Sequence, residues 1–181
     1  MINTKSHLLL QALAGCGLLA STFVNYISPA HAKERFFCDE QYLSTTVYTE
    51  RGAVPLIRWT NTAFPPPYTP SERCKIVSQR FQDFEQNGTL KYVKADRINN
   101  LPVLCVAAYK GGSCLPDGLL VTFLPETDAN QALLKLLDRR VWAAEGTVDF
   151  CNGCSEDRIV SEVDGKTYLN MEGFLYWGDN P

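Results

Sequence analysis

The sequence predicts one α+β domain, built on a mainly antiparallel sheet with two helices and stabilised by disulfide bonds. Two segments have helical periodicity, at about 70–86 and about 129–144, and runs of β-branched or apolar residues lie around them. These elements follow one another in the order β-β-α-β-β-β-α with short connections, which favours an α+β arrangement. Six cysteines follow an export signal, and this combination is typical of a disulfide framework.

The helix at about 70–86 has the clearest signals of any element. Thr69 can cap it, a proline follows at the first helical position, and Glu72 completes a capping box. Asn87 and Gly88 supply a left-handed stop at the other end. Apolar residues at spacings of three and four share one face, which must be buried. They are Cys74, Val77, Phe81 and Phe84.

Strands are predicted on both sides of this helix. Residues 42–49 and 54–60 are rich in β-branched and aromatic residues and should form a hairpin. The Pro-Pro-Pro-Tyr string at 65–68 indicates a stiff loop that leads into the helix. Asn99 and Asn100 favour a tight turn between later strands. The strands after the helix are predicted at 90–95 (half-exposed), 102–108 (the best candidate for a central strand) and 118–124 (buried).

The second helix and the segment after it complete the domain. The helix should begin near Asp128 or Asn130, present a broad leucine face and stop at Gly146. Residues 168–177 are too apolar to be a free tail, so we expect them to pack back on the domain. There is no internal repeat and no sign of a second domain.

The first 32 residues have the three parts of a secretory signal peptide: a short basic start, an apolar run and an Ala-His-Ala end at 30–32. We therefore expect cleavage after Ala32, which leaves 33–181 as one exported domain. An alternative lies inside the apolar run, where residues 13–16 resemble a bacterial lipobox. Lipidation of Cys16 would instead anchor the protein to a membrane.

The positions of the histidines exclude several chemistries. His7 and His31 are the only histidines, and both lie in the predicted signal. A mature chain without histidine cannot use a Ser-His-Asp triad, a Cys-His pair or a histidine-ligated metal. Lys5 is the only charged residue of the signal, so cleavage makes the net charge of −3 more negative and argues against a nucleic-acid surface. No cofactor and no metal site is predicted.

The cysteine pattern is the main candidate for chemistry. Six remain after signal cleavage: Cys38, Cys74, Cys105, Cys114, Cys151 and Cys154. In an exported chain an even number indicates disulfide bonds, and the sequence leaves their connectivity open. The Cys151-Asn-Gly-Cys154 string indicates either a small structural bridge or a redox-active dithiol. Its acidic flanks disfavour a thiolate, and zinc would need two further ligands.

Three residues are candidates for a ligand groove. Arg58, Trp59 and Trp142 could line it, with the arginine stacked on an aromatic ring. The alternative is that these residues are core anchors whose polar ends are satisfied.

Several short sequence strings occur in this chain in the same order as in a known protein family. They are Phe37-Cys38, 54–59, 68–74, 77–82, 87–90, 102–107, 111–114 and 118–120. Together they resemble the circadian oscillating protein family of cyanobacteria, the COP-twenty-three type. The resemblance covers about 36–140 and leaves 146–181 as a C-terminal extension.

What this resemblance implies is a compartment and a lineage. Members of the family are exported or membrane-associated proteins whose abundance has a daily rhythm, and their biochemical activity is undefined. The resemblance therefore transfers no active site. It implies a pattern of four cysteines, here Cys38, Cys74, Cys105 and Cys114, with Cys151 and Cys154 as an addition. Among those four, Cys105 and Cys114 flank a Gly-Gly turn, which favours a bridge between them and leaves Cys38 for Cys74.

These observations predict a non-catalytic, disulfide-stabilised exported domain that binds a partner protein or a component of the cyanobacterial envelope or lumen. The alternative from another class is a thiol–disulfide redox protein that uses Cys151 and Cys154. A hydrolase that depends on carboxylates is a third hypothesis, for which no residue pair can be named. The sequence does not indicate whether the exported protein is located in the periplasm, the thylakoid lumen or the medium.

Overall fold

A computed structural model describes residues 34–49, 52–143 and 159–176 of the chain. These residues form an α+β domain with two antiparallel sheets. The elements are β1 Phe36–Asp39, β2 Ser44–Thr49, β3 Gly52–Arg58, α1 Pro70–Gln86, β4 Tyr92–Ile98, β5 Leu101–Ala107, β6 Cys114–Thr122, α2 Ala129–Ala143, β7 Val160–Val163, β8 Lys166–Asn170 and α3 Met171–Tyr176. The smaller sheet has the order β1-β2-β3, and the larger has the order β6-β5-β4-β8-β7.

The smaller sheet contains the predicted hairpin and one strand that was not predicted. β2 and β3 pair antiparallel, with Val47 opposite Val54. β1 pairs with the other edge of β2, where Phe36 lies opposite Val47. β1 has no strand signal of its own because it has only four residues. It forms because β2 offers an edge and α1 offers a surface for the buried ring of Phe36.

Helix α1 begins and ends at the predicted residues. The backbone N–H of Glu72 donates to the Thr69 hydroxyl at 3.2 Å, which is one half of the predicted capping box. The Thr69 N–H donates to the Pro67 carbonyl at 2.7 Å rather than to a side chain. At the other end Gly88 has a φ of +71°, and the N–H groups of Gly88 and Thr89 cap carbonyls of the last turn. This pattern is a Schellman motif, which needs a left-handed residue at that position.

The larger sheet has β4 as its middle strand. Asn99 and Asn100, with φ values of 50° and 62°, form the predicted tight turn between β4 and β5. β5 is the apolar run that was the best candidate for a central strand. It is an interior strand but not the middle one, because β8 pairs with the other edge of β4. β6 lies at an edge of the sheet.

The segment near the C-terminus packs back on the domain, as its apolar composition predicted. It supplies β8 and α3, and five of its residues are at most 2% exposed: Tyr168, Leu169, Met171, Phe174 and Leu175. β7 and β8 form a hairpin through Asp164 and Gly165, both with positive φ. These elements were not predicted separately, because strands of four or five residues carry little periodicity.

The two helices join the two sheets. α1 contacts β1, β2 and β6, whereas α2 contacts β3 together with β4, β5 and β8. The helix predicted near Asp128 or Asn130 begins at Ala129, and the Asp128 carboxylate accepts hydrogen bonds from the N–H groups of Asn130 and Gln131. The core therefore runs continuously between the sheets. Within the described ranges, none of the helices has the length and hydropathy of a membrane span.

Two disulfide bonds join elements of the domain. Cys38 on β1 is bonded to Cys74 on α1, with a Cα–Cα distance of 5.4 Å. Cys105 on β5 is bonded to Cys114 on β6, with a Cα–Cα distance of 5.6 Å. These are the two pairs that the sequence favoured. Cys16, Cys151 and Cys154 lie outside the described residues.

We predict that the Cys38→Ser/Cys74→Ser variant loses about 4 kcal/mol of unfolding free energy, because a bridge across 36 residues restricts the unfolded chain. Denaturant unfolding of the oxidised wild type and of the variant measures the loss. The fully reduced wild type is the control, since it should lose at least as much. A loss below about 1 kcal/mol would contradict a structural role for this bridge.

Candidate functional site

A buried lysine lies on the middle strand of the larger sheet. The side chain of Lys94 is only 3% exposed. Its Nζ donates to the Gly112 carbonyl at 3.0 Å and lies 3.1 Å from Asp96 Oδ2. It also lies 4.9 Å from the centre of the Tyr168 ring, and the Tyr168 hydroxyl donates to the same Gly112 carbonyl. The ammonium group is thus fully surrounded by partners, which is the condition for burying a charge.

Two lysines share the Asp96 carboxylate. Asp96 lies two residues beyond Lys94 on β4, on the same face of the strand. Its Oδ1 accepts hydrogen bonds from Lys166 Nζ at 2.7 Å and from the Arg97 N–H at 2.9 Å. Because Lys94 occupies Oδ2, both carboxylate oxygens are in use. Two ammonium groups against one carboxylate leave this cluster with one unbalanced positive charge.

The interactions in this cluster shift two pKa values. Burial alone would lower the pKa of Lys94, but Tyr168 and Asp96 outweigh it and raise that pKa above its ordinary value. Burial alone would raise the pKa of Asp96, but hydrogen bonds from Lys166, the Arg97 backbone and Lys94 lower it. Asp96 therefore stabilises the fold above the pKa of an unfolded aspartate, and this contribution is lost as the pH falls through the lower folded value. The contribution of Lys94 is lost only as the pH rises through its raised value.

The Cys105–Cys114 disulfide lies directly against these charges. Cys114 Sγ is 3.8 Å from Asp96 Oδ2, and Cys105 Sγ is 3.9 Å from the Lys94 carbonyl oxygen. The bridge closes the turn that carries Gly112, whose carbonyl accepts from Lys94 and Tyr168. A Cβ at Gly112 would lie 2.9 Å from a backbone oxygen in the same turn, so this turn requires a glycine. The disulfide thus holds the acceptor in place.

A cleft of about 530 Å³ opens beside the cluster. Asp96, Arg97 and Lys166 lie on one side of it, and Thr127–Asn130 at the start of α2 lie on the other. The carboxylate of Asp128 is already bound to N–H groups of α2. The side-chain oxygen of Asn130 accepts from the Thr167 N–H, which fixes α2 against β8. The groups left for a ligand are therefore mainly cationic.

The donor set of this cleft suits an oxyanion better than a metal ion. Lys166 is 44% exposed, and Arg97 is exposed, so each can reach a ligand. The Asp96 carboxylate has both oxygens in use, and Oδ1 of Asp128 accepts from two N–H groups of α2. Across the ranges that the structure describes, no group of three or more His, Cys, Asp or Glu residues is placed to hold a metal. The geometry supports binding and gives no nucleophile–base pair at the cleft.

The predicted groove residues lie apart from this cleft. Arg58 is exposed at the end of β3. Trp59 is only 4% exposed, and its indole N–H donates to the Thr45 hydroxyl at 3.0 Å. The arginine that stacks on Trp59 is Arg73, from α1. The side chain of Trp142 lies outside the described residues, so a groove formed by Arg58, Trp59 and Trp142 stays a prediction.

Sequence reasoning missed the lysine cluster. The alternation of apolar and basic residues at 90–95 predicted a half-exposed strand, whereas Val93, Lys94 and Ala95 are all buried. The reason is that β4 lies between β5 and β8 and is covered by α2. One signal was present, since a carboxylate two residues after a lysine on a strand shares its face. The second lysine comes from 70 residues further along the chain, where local patterns give no information.

The described residues define a disulfide-bonded α+β domain with two antiparallel sheets and a cationic cleft. The chain belongs to the circadian oscillating protein COP23 family, whose model matches residues 35–176. The resemblance seen in the sequence is thereby confirmed. The match continues beyond residue 140, so most of the segment predicted as a C-terminal extension lies within the family. No curated protein and no solved structure matches the chain.

We predict that Asp96→Asn lowers the free energy of unfolding by about 3 kcal/mol, because it leaves the buried Lys94 ammonium without its counter-charge. Lys94→Met should cost less, since Asp96 then keeps Lys166. The double variant should lose less than the sum of the two single losses. Denaturant unfolding at neutral pH measures all three. Strict additivity would show that the two groups are not coupled.

Proposed function

We propose that this chain is an exported, non-catalytic binding domain whose cleft holds an oxyanion group of an envelope component. The observation that carries this proposal is the unequal charge of the cluster, in which Lys94 and Lys166 share one carboxylate. Asp96 can neutralise only one of the two ammonium groups, so positive charge remains at the half-exposed Lys166 and attracts a counter-ion from solvent. The cleft places that counter-ion beside the exposed end of Lys166.

The walls of the cleft favour an anion over a cation. Arg97 provides a second cationic residue in the lining of the cleft, and its guanidinium also donates to the Asn100 carbonyl. The opposite wall is the start of α2, where the negative charge of Asp128 caps the first N–H groups and offsets the helix dipole. The chain as a whole has a net charge of −3, so a positive cleft is a local feature and not a consequence of overall charge.

Rigid supports make the cleft suitable for recognition. Lys166 is fixed by its 2.7 Å contact to Asp96, and α2 is fixed to β8 through Asn130. A site whose side chains are already ordered loses little conformational entropy when a ligand binds. The cleft needs no rearrangement to present Lys166 and Arg97.

The proposal includes export, which rests on the signal-like first 32 residues and on the even number of cysteines after them. The compartment is the periplasm, the thylakoid lumen or the medium if Ala32 is the cleavage site. If Cys16 is lipidated, the same domain is held at a membrane surface. The two disulfides are consistent with an oxidising compartment.

The redox alternative depends only on the Cys151-Asn-Gly-Cys154 string, which lies outside the described residues. Alkylation of the native protein without reduction, followed by intact-mass measurement, separates the two hypotheses. Two free thiols at Cys151 and Cys154 would favour a redox dithiol. No free thiol would leave binding as the function and the pair as a structural bridge.

We predict that sodium sulfate, used as a small oxyanion probe, binds the wild-type cleft and that Lys166→Gln weakens this binding about tenfold. An NMR titration of ¹⁵N-labelled protein measures both. The backbone signals of Arg97 and of Thr127–Asn130 should shift most, because these residues form the walls.

Lys91→Gln is the matched control, because it removes one lysine charge from an exposed position just before β4 and outside the cleft. Its sulfate affinity should equal that of the wild type. Equal weakening in both variants would mean that sulfate responds only to total charge. Shifts scattered over the surface, with none at the cleft, would contradict the proposed function.

A further inference from the structure

The guanidinium group of Arg73 is held between two aromatic rings. Its Cζ lies 4.6 Å from the centre of the Trp59 ring and 3.9 Å from the centre of the Phe64 ring. Aromatic rings that stack on the faces of a guanidinium group leave its N–H donors free, because these donors point outward in the plane of the group. Arginine held in this way is ready to donate hydrogen bonds at its edge.

In the part of the chain that the structure describes, these donors have no acceptor. The other half-buried arginines do have one: Arg35 donates to Glu85 Oε1 at 2.7 Å, and Arg80 donates to the Leu120 carbonyl at 3.0 Å. No carboxylate among the described residues forms an ion pair with Arg73. A half-buried cation without a partner carries a desolvation cost that a bound anion would offset.

The support beneath Arg73 is rigid. The Trp59 indole N–H donates to the Thr45 hydroxyl, and the Ser78 hydroxyl of α1 donates to the same oxygen. The Cys38–Cys74 bridge ties the residue next to Arg73 to β1. A guanidinium fixed from below by hydrogen bonds and a disulfide loses little entropy when it binds a ligand.

The charges near Arg73 are of both signs. Arg73 lies in the first turn of α1, where the helix dipole adds positive potential and the neighbouring Glu72 adds one negative charge. Lys75 is already paired with Glu40, at 3.1 Å. Burial lowers the pKa of Arg73, in the direction expected for a cation that lacks a counter-charge. One free guanidinium edge matches one carboxylate in charge and in planar geometry.

The rim around Arg73 has the composition of a protein-binding surface. The Pro-Pro-Pro segment at 65–67 is exposed, and Tyr68 is 50% exposed. Arginine, tyrosine and tryptophan are the residue types that contribute most to protein interfaces. A loop stiffened by prolines also presents this surface at a low entropic cost.

We propose that Phe64, Tyr68 and Arg73 form a docking surface for an acidic segment of a partner protein. An Asp or Glu carboxylate of the partner accepts hydrogen bonds from the edge of the Arg73 guanidinium. Phe64 and Tyr68 contact the apolar part of the same segment. This surface is made by α1 and the loop before it, so it is independent of the oxyanion cleft beside Lys166.

The test uses a fluorescent peptide of four glutamates with both ends capped, and a matched peptide of four glutamines. Fluorescence anisotropy with the oxidised full-length domain should show binding of the glutamate peptide only. Arg73→Gln should weaken this binding about tenfold, and Arg73→Lys should restore part of it, because lysine keeps the charge without the planar edge. Lys110→Gln, which removes an exposed charge elsewhere, is the control and should leave the affinity unchanged.

Several results would overturn the proposal. Equal affinity for the two peptides, or an unchanged affinity of Arg73→Gln for the glutamate peptide, would exclude carboxylate recognition by Arg73. Binding of polyglucuronate without binding of the glutamate peptide would assign the surface to an acidic saccharide instead. If Arg73→Gln does not fold, the Arg73 Nε–Hε signal of the wild-type protein provides the readout. It should shift with the glutamate peptide, and a constant signal would contradict the proposal.

Discussion

The need to balance one buried ammonium group constrains the larger sheet. Lys94 lies on the middle strand, away from water, and an unpaired charge there would cost several kcal/mol. Its partners come from three places: its own strand, the turn between β5 and β6, and β8. The Cys105–Cys114 bridge fixes the turn, and the pairing of β8 puts Tyr168 opposite Lys94. A single charge therefore links the register of the sheet to the return of the C-terminal segment.

Each of the two proposed binding surfaces contains a cation that the fold leaves without a full counter-charge. At the cleft, Asp96 neutralises one of its two lysines, so positive charge remains where Lys166 reaches solvent. At α1, aromatic rings rather than a carboxylate hold Arg73, so its charge also remains unbalanced. In each case the fold fixes a cation without neutralising it. Such arrangements favour binding over stability, because burying neutral or fully paired side chains would cost less desolvation free energy.

The sequence predicted those parts of the fold that depend on local signals. Helix α1 was placed to the residue because Thr69, a proline and Gly88 mark its ends within one turn. β1, β7 and β8 were not predicted as strands, because each is short and depends on a partner strand for its stability. The contact between Arg73 and the Trp59 ring was not predicted, because it forms only when α1 packs over the ring and no local pattern contains that information.

The most direct test of this account is the pKa of the Asp96 carboxyl group, measured by ¹³C NMR in the folded protein with and without sodium sulfate. A carboxylate held by two lysines should titrate below the ordinary aspartate value of about 3.9. Sulfate bound beside Lys166 should move this pKa upward, because it competes for the ammonium group and adds negative charge nearby. An ordinary pKa that does not respond to sulfate would contradict both the shared carboxylate and the oxyanion cleft.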